Sequence, residues 1–174
     1  DGSPEPSCVL LSGGVGGARM AAGLQEALPP GRLSVLGNTG DDFELLGLRV
    51  CPDLDTLLYT LAGRAHPDQG WGLQNETWQC MHALEELGAP CWFHLGDRDL
   101  ATHLVRTEAL KQGRSLTGVT ADLARALGLK TRVLPMCDEA VGTRLRTREG
   151  LLDFQDYFVR REQRDRVLEV EFAG

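Results

Sequence analysis

The sequence predicts an α/β fold: a Rossmann-like open, mostly parallel sheet with helices on both faces and an antiparallel addition near the carboxyl end. Three observations support this prediction. Short apolar runs alternate with longer amphipathic segments, glycine-rich turns separate the two, and a charged hairpin pattern comes late in the chain. Apolar strands that alternate with helices in this way are typical of parallel strands joined by crossover helices.

The opening of the chain predicts a β-loop-α-β unit. Residues 8–11 form an apolar run of buried-strand character, and a glycine-rich loop follows at residues 12–17. Residues 18–28 carry apolar side chains at helical spacing, and Pro29-Pro30-Gly31 ends that helix. A second strand is predicted at residues 33–36.

The middle of the chain continues the pattern. Residues 48–51 predict a short strand, and Pro52 begins a helix to about residue 62 with acidic residues in its first turn, as helix starts prefer. An amphipathic helix is predicted over 75–88 and a strand over 91–95. The later predicted elements are a helix after the turn at 96–99 that runs to 113, a helix from Ser115 to 128, a strand at 132–135, a hairpin over 143–153 with its turn at 148–150, and a final strand at 167–172. Residues 154–161 fit either helix or strand.

The domain organisation follows from these elements. Residues 1–7 are expected to be a disordered lead-in or an expression remnant, because they are polar and contain two prolines. Residues 8–174 are expected to form a single α/β nucleotide-binding domain, which is long enough to bury a core. Because the chain stops on a strand, we expect this domain to be truncated at its carboxyl end.

Composition excludes several partners. The net charge of -7 provides no general field for nucleic acid or anionic lipid, and no apolar window has the length of a membrane span. Five cysteines without a C-x-x-C pair indicate reduced thiols and a cytoplasmic location. The sequence leaves open whether the chain is a homodimer.

The glycine-rich loop predicts nucleotide binding. Four glycines in five positions, Gly13, Gly14, Gly16 and Gly17, let backbone N–H groups approach a phosphate at a helix amino terminus. The spacing is neither that of a dinucleotide fingerprint nor that of a Walker loop, because no Lys-Ser/Thr follows. A structural turn alone would explain only one or two of these glycines.

Two pairs of carboxylates follow at the expected carboxyl ends of strands. Asp41 and Asp42 come after the second strand, and Asp53 and Asp55 begin the next helix. Carboxylate oxygens suit Mg²⁺. Alternatively, Asp53 and Asp55 complement a helix dipole and Asp41 or Asp42 closes an Asx turn. Both interpretations remain open on the residues alone.

Arg98 lies between two acids in Gly96-Asp97-Arg98-Asp99. An arginine in this setting is usually part of a local ion-pair cluster, although beside a phosphate site it could stabilise phosphoryl charge.

Other reactive residue types give no clear site. His94 and His103 lack the spacing of zinc ligands. Trp71, Trp78 and Trp92 are interpreted mainly as core residues, although one could flank an aromatic ring.

These motifs, taken in order, resemble the 2-phospho-L-lactate transferase family, whose bacterial members act as phosphoenolpyruvate transferases in coenzyme F420 biosynthesis. The resemblance covers nearly the whole chain from Val9. The segments that carry it are residues 11–19, 38–42, 52–56 and 95–103, with further likeness at 71–72, 76–78, 134–136 and 154–158.

The resemblance implies a Mg²⁺-dependent transferase. It would move a phospholactyl or phosphoenolpyruvyl group from a guanosine diphospho-donor to the deazaflavin alcohol Fo, releasing GMP and forming coenzyme F420-0 or its dehydro form. The residues that match the family's positions are Asp55 and Arg98 for catalysis and Fo binding, Gly13, Gly14, Gly16, Gly17 and Asn38 for the nucleotide, and Asp42, Asp53 and Asp55 for the metal. Family members are longer, and nothing here matches the serine-asparagine-proline segment of their second half.

Two other functions fit parts of the sequence less well. A non-catalytic nucleotide-sugar-binding regulator of the gluconeogenesis-factor type shares the glycine loop, but those relatives follow the acidic pair with a Gly/Ser-rich segment, whereas residues 43–47 here are Phe-Glu-Leu-Leu-Gly. An NAD-dependent enzyme is disfavoured by the glycine spacing. No sequence signal distinguishes a lactate donor from an enolpyruvate donor.

Overall fold

The computed structural model describes residues 7–174 and contains a parallel sheet, a small hairpin and an antiparallel sheet, with helices between them. The predicted lead-in at residues 1–7 lies, apart from Ser7, outside the described residues. The strands are β1 (Cys8–Ser12), β2 (Leu33–Gly37), β3 (Phe43–Leu45), β4 (Leu48–Val50), β5 (Arg132–Pro135), β6 (Gly142–Thr147), β7 (Gly150–Asp153) and β8 (Glu169–Ala173). The α-helices are α1 (Gly14–Ala27), α2 (Pro52–Leu61), α3 (Gln79–Glu86), α4 (Asp97–Lys111) and α5 (Leu116–Ala126).

The parallel sheet has the strand order β1-β2-β5, with both pairs parallel. The predicted α/β class is therefore confirmed, with α1 as the crossover between β1 and β2. Helices α1, α2 and α5 pack on one face, where Val35 and Val133 are fully buried in the main core. On the other face of β1, Val9 and Leu11 are 66% and 77% exposed.

Helix α1 begins at Gly14, four residues before the predicted start. The glycines at 14, 16 and 17 therefore belong to its first turn rather than to a separate loop. An aspartate from α2 supports this early start, because Asp53 Oδ1 accepts a hydrogen bond from the Gly14 N–H at 2.7 Å.

The predicted strand at 48–51 is confirmed as β4, and its antiparallel partner β3 was not predicted. Leu46 and Gly47 form the tight turn between them, both with positive φ. The hairpin packs on Met81 of α3 and on Leu95 in a second core cluster.

The predicted strand at 91–95 is wrong, because the structure assigns no strand to these residues. Their apolar character is used for ring packing instead: Phe43 of β3 contacts Trp92 and Phe93, with ring centroids 5.7 and 4.8 Å apart. A short run of apolar residues indicates that a segment is buried, but it does not show whether neighbouring strands or aromatic rings bury it.

Helix α3 begins at Gln79 rather than near residue 75. The residues before it bind the start of α4: Glu76 accepts hydrogen bonds from the Arg98 and Asp99 N–H groups at 2.9 and 2.8 Å. In return, Asp97 accepts a hydrogen bond from the Cys80 N–H in α3 at 2.9 Å. The starts of the two helices therefore cap each other.

The antiparallel addition is confirmed, with the order β7-β6-β8. A π-helical turn at Asp156–Arg160 follows β7, where the sequence fitted either helix or strand. The Thr143 N–H donates to the Gly40 carbonyl at 2.7 Å and so joins this sheet to the loop after β2.

Within residues 7–174, the structure contains no helix that is both long enough and apolar enough to span a membrane.

Candidate functional site

A cavity of about 730 Å³ opens at the carboxyl ends of β1 and β2. This is the position where open α/β sheets bind ligands. Its walls are aromatic and much of its polar lining is acidic; the aromatic and acidic lining residues are Trp71, Trp78, Trp92, Phe93, Phe154, Phe158, Asp41, Asp53, Asp55 and Asp99. Among the described residues, no lysine or arginine lines this cavity.

One side of the cavity, which we call the glycine rim, consists of Gly13, Gly14, Asn38, Asp41 and Asp53. Asp53 accepts from the Gly14 N–H through Oδ1 and from Asn38 Nδ2, at 3.0 Å, through Oδ2. Asn38 Nδ2 also donates to Asp41 Oδ1 at 3.1 Å. One amide group thus holds two carboxylates beside the start of α1.

Different local constraints explain why glycine stands at three positions of the motif. A β-carbon at Gly13 would lie 2.9 Å from Asp53 Oδ2, and Gly14 has a φ of +64°. A β-carbon at Gly17 would collide with Ser12 Oγ, whereas one at Gly16 would meet nothing within 4 Å. Three of the four glycines therefore have a structural role, and only Gly16 has none from its surroundings.

The negative charges of the glycine rim have no lysine or arginine as a partner among the described residues. Burial, together with the charges of Asp53 and Asp42, raises the pKa of Asp41 to about 8, although the Asp41 backbone and Gln155 donate hydrogen bonds to it. Within the described part of the chain, neither Asp41 nor Asp53 forms an ion pair with a lysine or arginine. Two hard oxygen donors without a countercharge fit a divalent cation such as Mg²⁺.

A second group of residues, which we call the carboxylate floor, consists of Asp55, Tyr59, Asp99 and His103, which line the cavity, and of Arg106, which binds Asp55 without lining it. Both terminal nitrogens of Arg106 donate to the Asp55 carboxylate, NH1 to Oδ2 at 3.1 Å and NH2 to Oδ1. His103 lies between the two acids, with Nδ1 3.7 Å from Asp55 Oδ2 and Nε2 3.4 Å from Asp99 Oδ2. The Tyr59 hydroxyl donates to Asp99 Oδ1 at 2.6 Å.

The carboxylate floor is a poorer cation site than the glycine rim. Asp55, Asp99 and His103 offer ligand atoms that all lie within 4.8 Å of one another. However, both oxygens of Asp55 are bound to Arg106, whose positive charge would repel a cation. The charge of Asp55 is therefore already compensated.

The structure brings most of the predicted site residues together. Gly13, Gly14, Asn38, Asp53 and Asp55 all line the cavity, whereas Gly16 and Gly17 do not. The assigned roles of these residues remain predictions.

Two further predicted residues, Arg98 and Asp42, also lie outside the cavity lining. Arg98 NH1 donates to the Gln74 carbonyl at 3.1 Å. Asp42 forms an ion pair with Arg49 at 3.0 Å, and burial raises the pKa of Asp42 to about 6 despite this arginine. Neither group contacts the other predicted residues in the present arrangement, and their roles also remain predictions.

Several residues of the site are not singled out by the sequence analysis. Asp99, His103 and Arg106 are spaced i, i+4 and i+7 on α4, which is the spacing of a buried helix face, and three polar residues there are a signal of a site. The three tryptophans, interpreted mainly as core, all line the cavity, and Trp71 is 44% exposed.

The chain is similar to known proteins over most of its length. The family model described as 2-phospho-L-lactate transferase CofD matches residues 8–173. A phosphoenolpyruvate transferase of Kitasatospora aureofaciens is 49% identical over 158 residues, which cover 87% of this chain and 49% of that protein. A 2-phospho-L-lactate transferase of Methanosarcina mazei is 37% identical over 166 residues, covering 95% of this chain and 55% of that protein. The chain thus spans about half the length of these relatives.

Solved structures support the fold. Two crystal structures of protein BH3568 from Bacillus halodurans, one described as a member of the UPF0052 family, align with TM-scores of 0.57 and 0.58 at 13% and 12% identity. The alignments cover 97% and 98% of this chain and 51% and 52% of those chains.

Proposed function

Since the chain belongs to the 2-phospho-L-lactate transferase CofD family, we propose that it forms the substrate-binding part of an enzyme that transfers a phospholactyl or phosphoenolpyruvyl group to the deazaflavin alcohol Fo. The donor would be a guanosine diphospho-compound, and GMP would be released. One observation carries the proposal: a single cavity joins an acidic rim at a helix amino terminus to walls of aromatic rings. The first suits a diphosphate with its cation, and the second suits a flat tricyclic acceptor.

The donor diphosphate would lie at the glycine rim. Its negative charge needs neutralisation, and the cavity lining offers no lysine or arginine among the described residues. A Mg²⁺ ion would supply that charge and stabilise the leaving phosphate. The unpaired state of Asp53 and Asp41 supports these two as the carboxylates that hold the ion. Asp42 and Asp55, also predicted for the metal, are each occupied by an arginine.

The acceptor would lie over the carboxylate floor. The aromatic walls would enclose the deazaflavin ring, and Asp55 would accept a hydrogen bond from a ribityl hydroxyl. That hydroxyl oxygen forms a bond to the phosphorus next to the lactyl or enolpyruvyl group as the bond from this phosphorus to the GMP oxygen breaks, and its proton is released to solvent. Because Arg106 neutralises Asp55, this carboxylate would orient the hydroxyl rather than remove its proton.

Arg98 remains a proposed acceptor and phosphoryl contact. Its backbone N–H binds Glu76 at the start of α4, so the residue stands at the edge of the site. To reach the cavity, its guanidinium would have to leave the Gln74 carbonyl.

Product analysis tests the proposal. The chain is incubated with Fo, Mg²⁺ and either the lactyl or the enolpyruvyl donor, and products are identified by mass. We expect GMP together with F420-0 or its dehydro form, because relatives bear both transferase names. Calorimetry with Fo and with a UDP-sugar is the companion measurement. Tight UDP-sugar binding without Fo binding would overturn the proposal in favour of the non-catalytic regulator.

A further inference from the structure

Arg106 is the largest fully buried side chain of the described residues, and it binds Asp55, which lines the cavity. Burying a guanidinium costs several kcal/mol unless a partner compensates it. Burial opposes its charged form, yet the adjoining Asp55 carboxylate outweighs burial and raises the pKa of Arg106 above its ordinary value. The arginine therefore stays charged at any pH at which the protein is folded.

The contacts of Arg106 reach one cavity acid and one cavity histidine. It binds Asp55 directly through two nitrogens, a geometry that fixes the plane of the carboxylate. Its Nη1 also lies 3.3 Å from His103 Nδ1. Asp99 is held separately, because its Oδ1 accepts a hydrogen bond from the Tyr59 hydroxyl at 2.6 Å, whereas His103 Nε2 has no hydrogen-bond partner among the described residues.

The other side of this arrangement faces the cavity. Asp55, Asp99 and His103 all line it, whereas Arg106 does not. Each carboxylate oxygen of Asp55 has a second lone-pair direction beyond the one that Arg106 uses. The arginine thus leaves Asp55 able to accept a hydrogen bond from a ligand while preventing it from rotating.

We propose that Arg106 is a positioning residue for the acceptor: it holds the Asp55 carboxylate in the orientation that receives an acceptor hydroxyl. The inference rests on the proposed function, because it requires the acceptor to bind at the carboxylate floor. The alternative is that Arg106 serves only to compensate the charge of Asp55.

Four variants separate the two roles: Arg106→Gln, Arg106→Lys, Asp55→Asn and the double variant Asp55→Asn/Arg106→Gln. Thermal unfolding gives Tm, and calorimetry gives the Kd for Fo and, on the donor side, for GMP with Mg²⁺. Arg125→Gln is the matched surface control, since that side chain is 76% exposed.

A positioning role predicts that thermal stability and affinity for Fo change independently of each other among the variants. Arg106→Gln alone lowers Tm by roughly 10 °C, because one buried charge is left unpaired. The double variant recovers most of that Tm, because both charges are gone, but it also removes the Asp55 carboxylate and so measures only charge compensation. Arg106→Lys keeps the charge but not the two-pronged contact, so its Tm stays closer to that of the wild type, whereas its Kd for Fo becomes about 10-fold weaker, the loss expected for one hydrogen bond to a charged group. The GMP affinity stays within about twofold in all variants.

Wild-type Fo affinity in Arg106→Lys would overturn the positioning role and leave charge compensation. Failure of the wild-type chain to bind Fo would instead reject the proposed function itself, and the inference with it. If Arg106→Gln does not fold, Arg106→Lys still decides the question.

Discussion

The carboxylate floor and the glycine rim belong to one cavity, and they hold their acids in opposite ways. On the floor, Asp55 is bound on both oxygens by a buried arginine. On the rim, Asp41 and Asp53 share one asparagine amide, and in the part of the chain that the structure describes no basic side chain pairs with either. Asp55 on the floor has an arginine as its countercharge, whereas the acids of the described rim have none.

This difference separates structural acids from acids available to a ligand. A buried carboxylate with a bidentate arginine contributes to a fixed framework, and removing either partner leaves a buried charge. Two neighbouring carboxylates without a cation repel each other, and this arrangement becomes favourable when a cation binds. Identical residue types in one cavity therefore have different roles because of their neighbours.

The largest expected effect is on the floor. Arg106→Met should lower the free energy of unfolding by about 3–5 kcal/mol, because Asp55 is left without a countercharge. Urea denaturation measures it. Arg125→Met on the surface, whose ion pair with Asp122 is exposed, should cost no more than about 1 kcal/mol. Equal losses in the two variants would contradict the description of the floor as a compensated pair.

A cation should act on the rim. Mg²⁺ at roughly 10–100 times its Kd should raise the free energy of unfolding by about 1–3 kcal/mol, by mass action on the folded state. Asp53→Asn should abolish most of this response, because a ligand oxygen loses its charge. The exposed Asp68→Asn is the matched control and should retain it. Thermal unfolding with and without Mg²⁺ measures this response in each variant. A full response in Asp53→Asn would show that the cation binds elsewhere.

Removing one carboxylate charge should change the free energy of unfolding in opposite directions on the glycine rim and on the carboxylate floor. Without Mg²⁺, Asp41→Asn should stabilise the protein by about 0.5–1 kcal/mol, because a buried carboxylate beside like charges is replaced by a neutral amide. Asp55→Asn should destabilise it, because Arg106 then lacks its partner. Denaturant midpoints of both variants give the signs, and the same sign for both would remove the distinction between floor and rim.

The smallest effect concerns Gly16, in the first turn of α1 next to the rim. Gly16→Ala should stabilise the protein by up to about 1 kcal/mol, because alanine loses less backbone entropy in a helix and meets no neighbour. We expect the GMP affinity, measured with Mg²⁺, to change by less than about twofold, since this residue does not line the cavity. A tenfold loss would instead support the phosphate contact predicted from the sequence.

Most helices and strands were predictable because their signals are local. The spacing of apolar residues and the Pro-Asp helix start identified α2, and Ser115, whose side chain accepts from the Gly118 N–H, marked the start of α5. The 91–95 segment was mispredicted because its apolar residues bury rings against Phe43, a partner about fifty residues earlier that periodicity does not reveal.

The site was predictable in outline but not in its pairing. The glycine motif and the acidic residues indicated the rim, and Asp53 and Asn38 do meet there. The Arg106–Asp55 pair joins residues 51 positions apart on two helices, and no local pattern specifies which arginine becomes buried. Sequence reasoning chose Arg98 from its motif, whereas the structure places Arg106 against the acid.

The close approach of Gly13 to Asp53 has an evolutionary consequence. A β-carbon at position 13 would press on the Asp53 carboxylate, so the cost of a substitution at 13 depends on what stands at 53. Gly13→Ala should be tolerated better where position 53 has a shorter side chain. The two positions are 40 residues apart in the sequence, yet the effect of a substitution at one of them depends on the residue at the other.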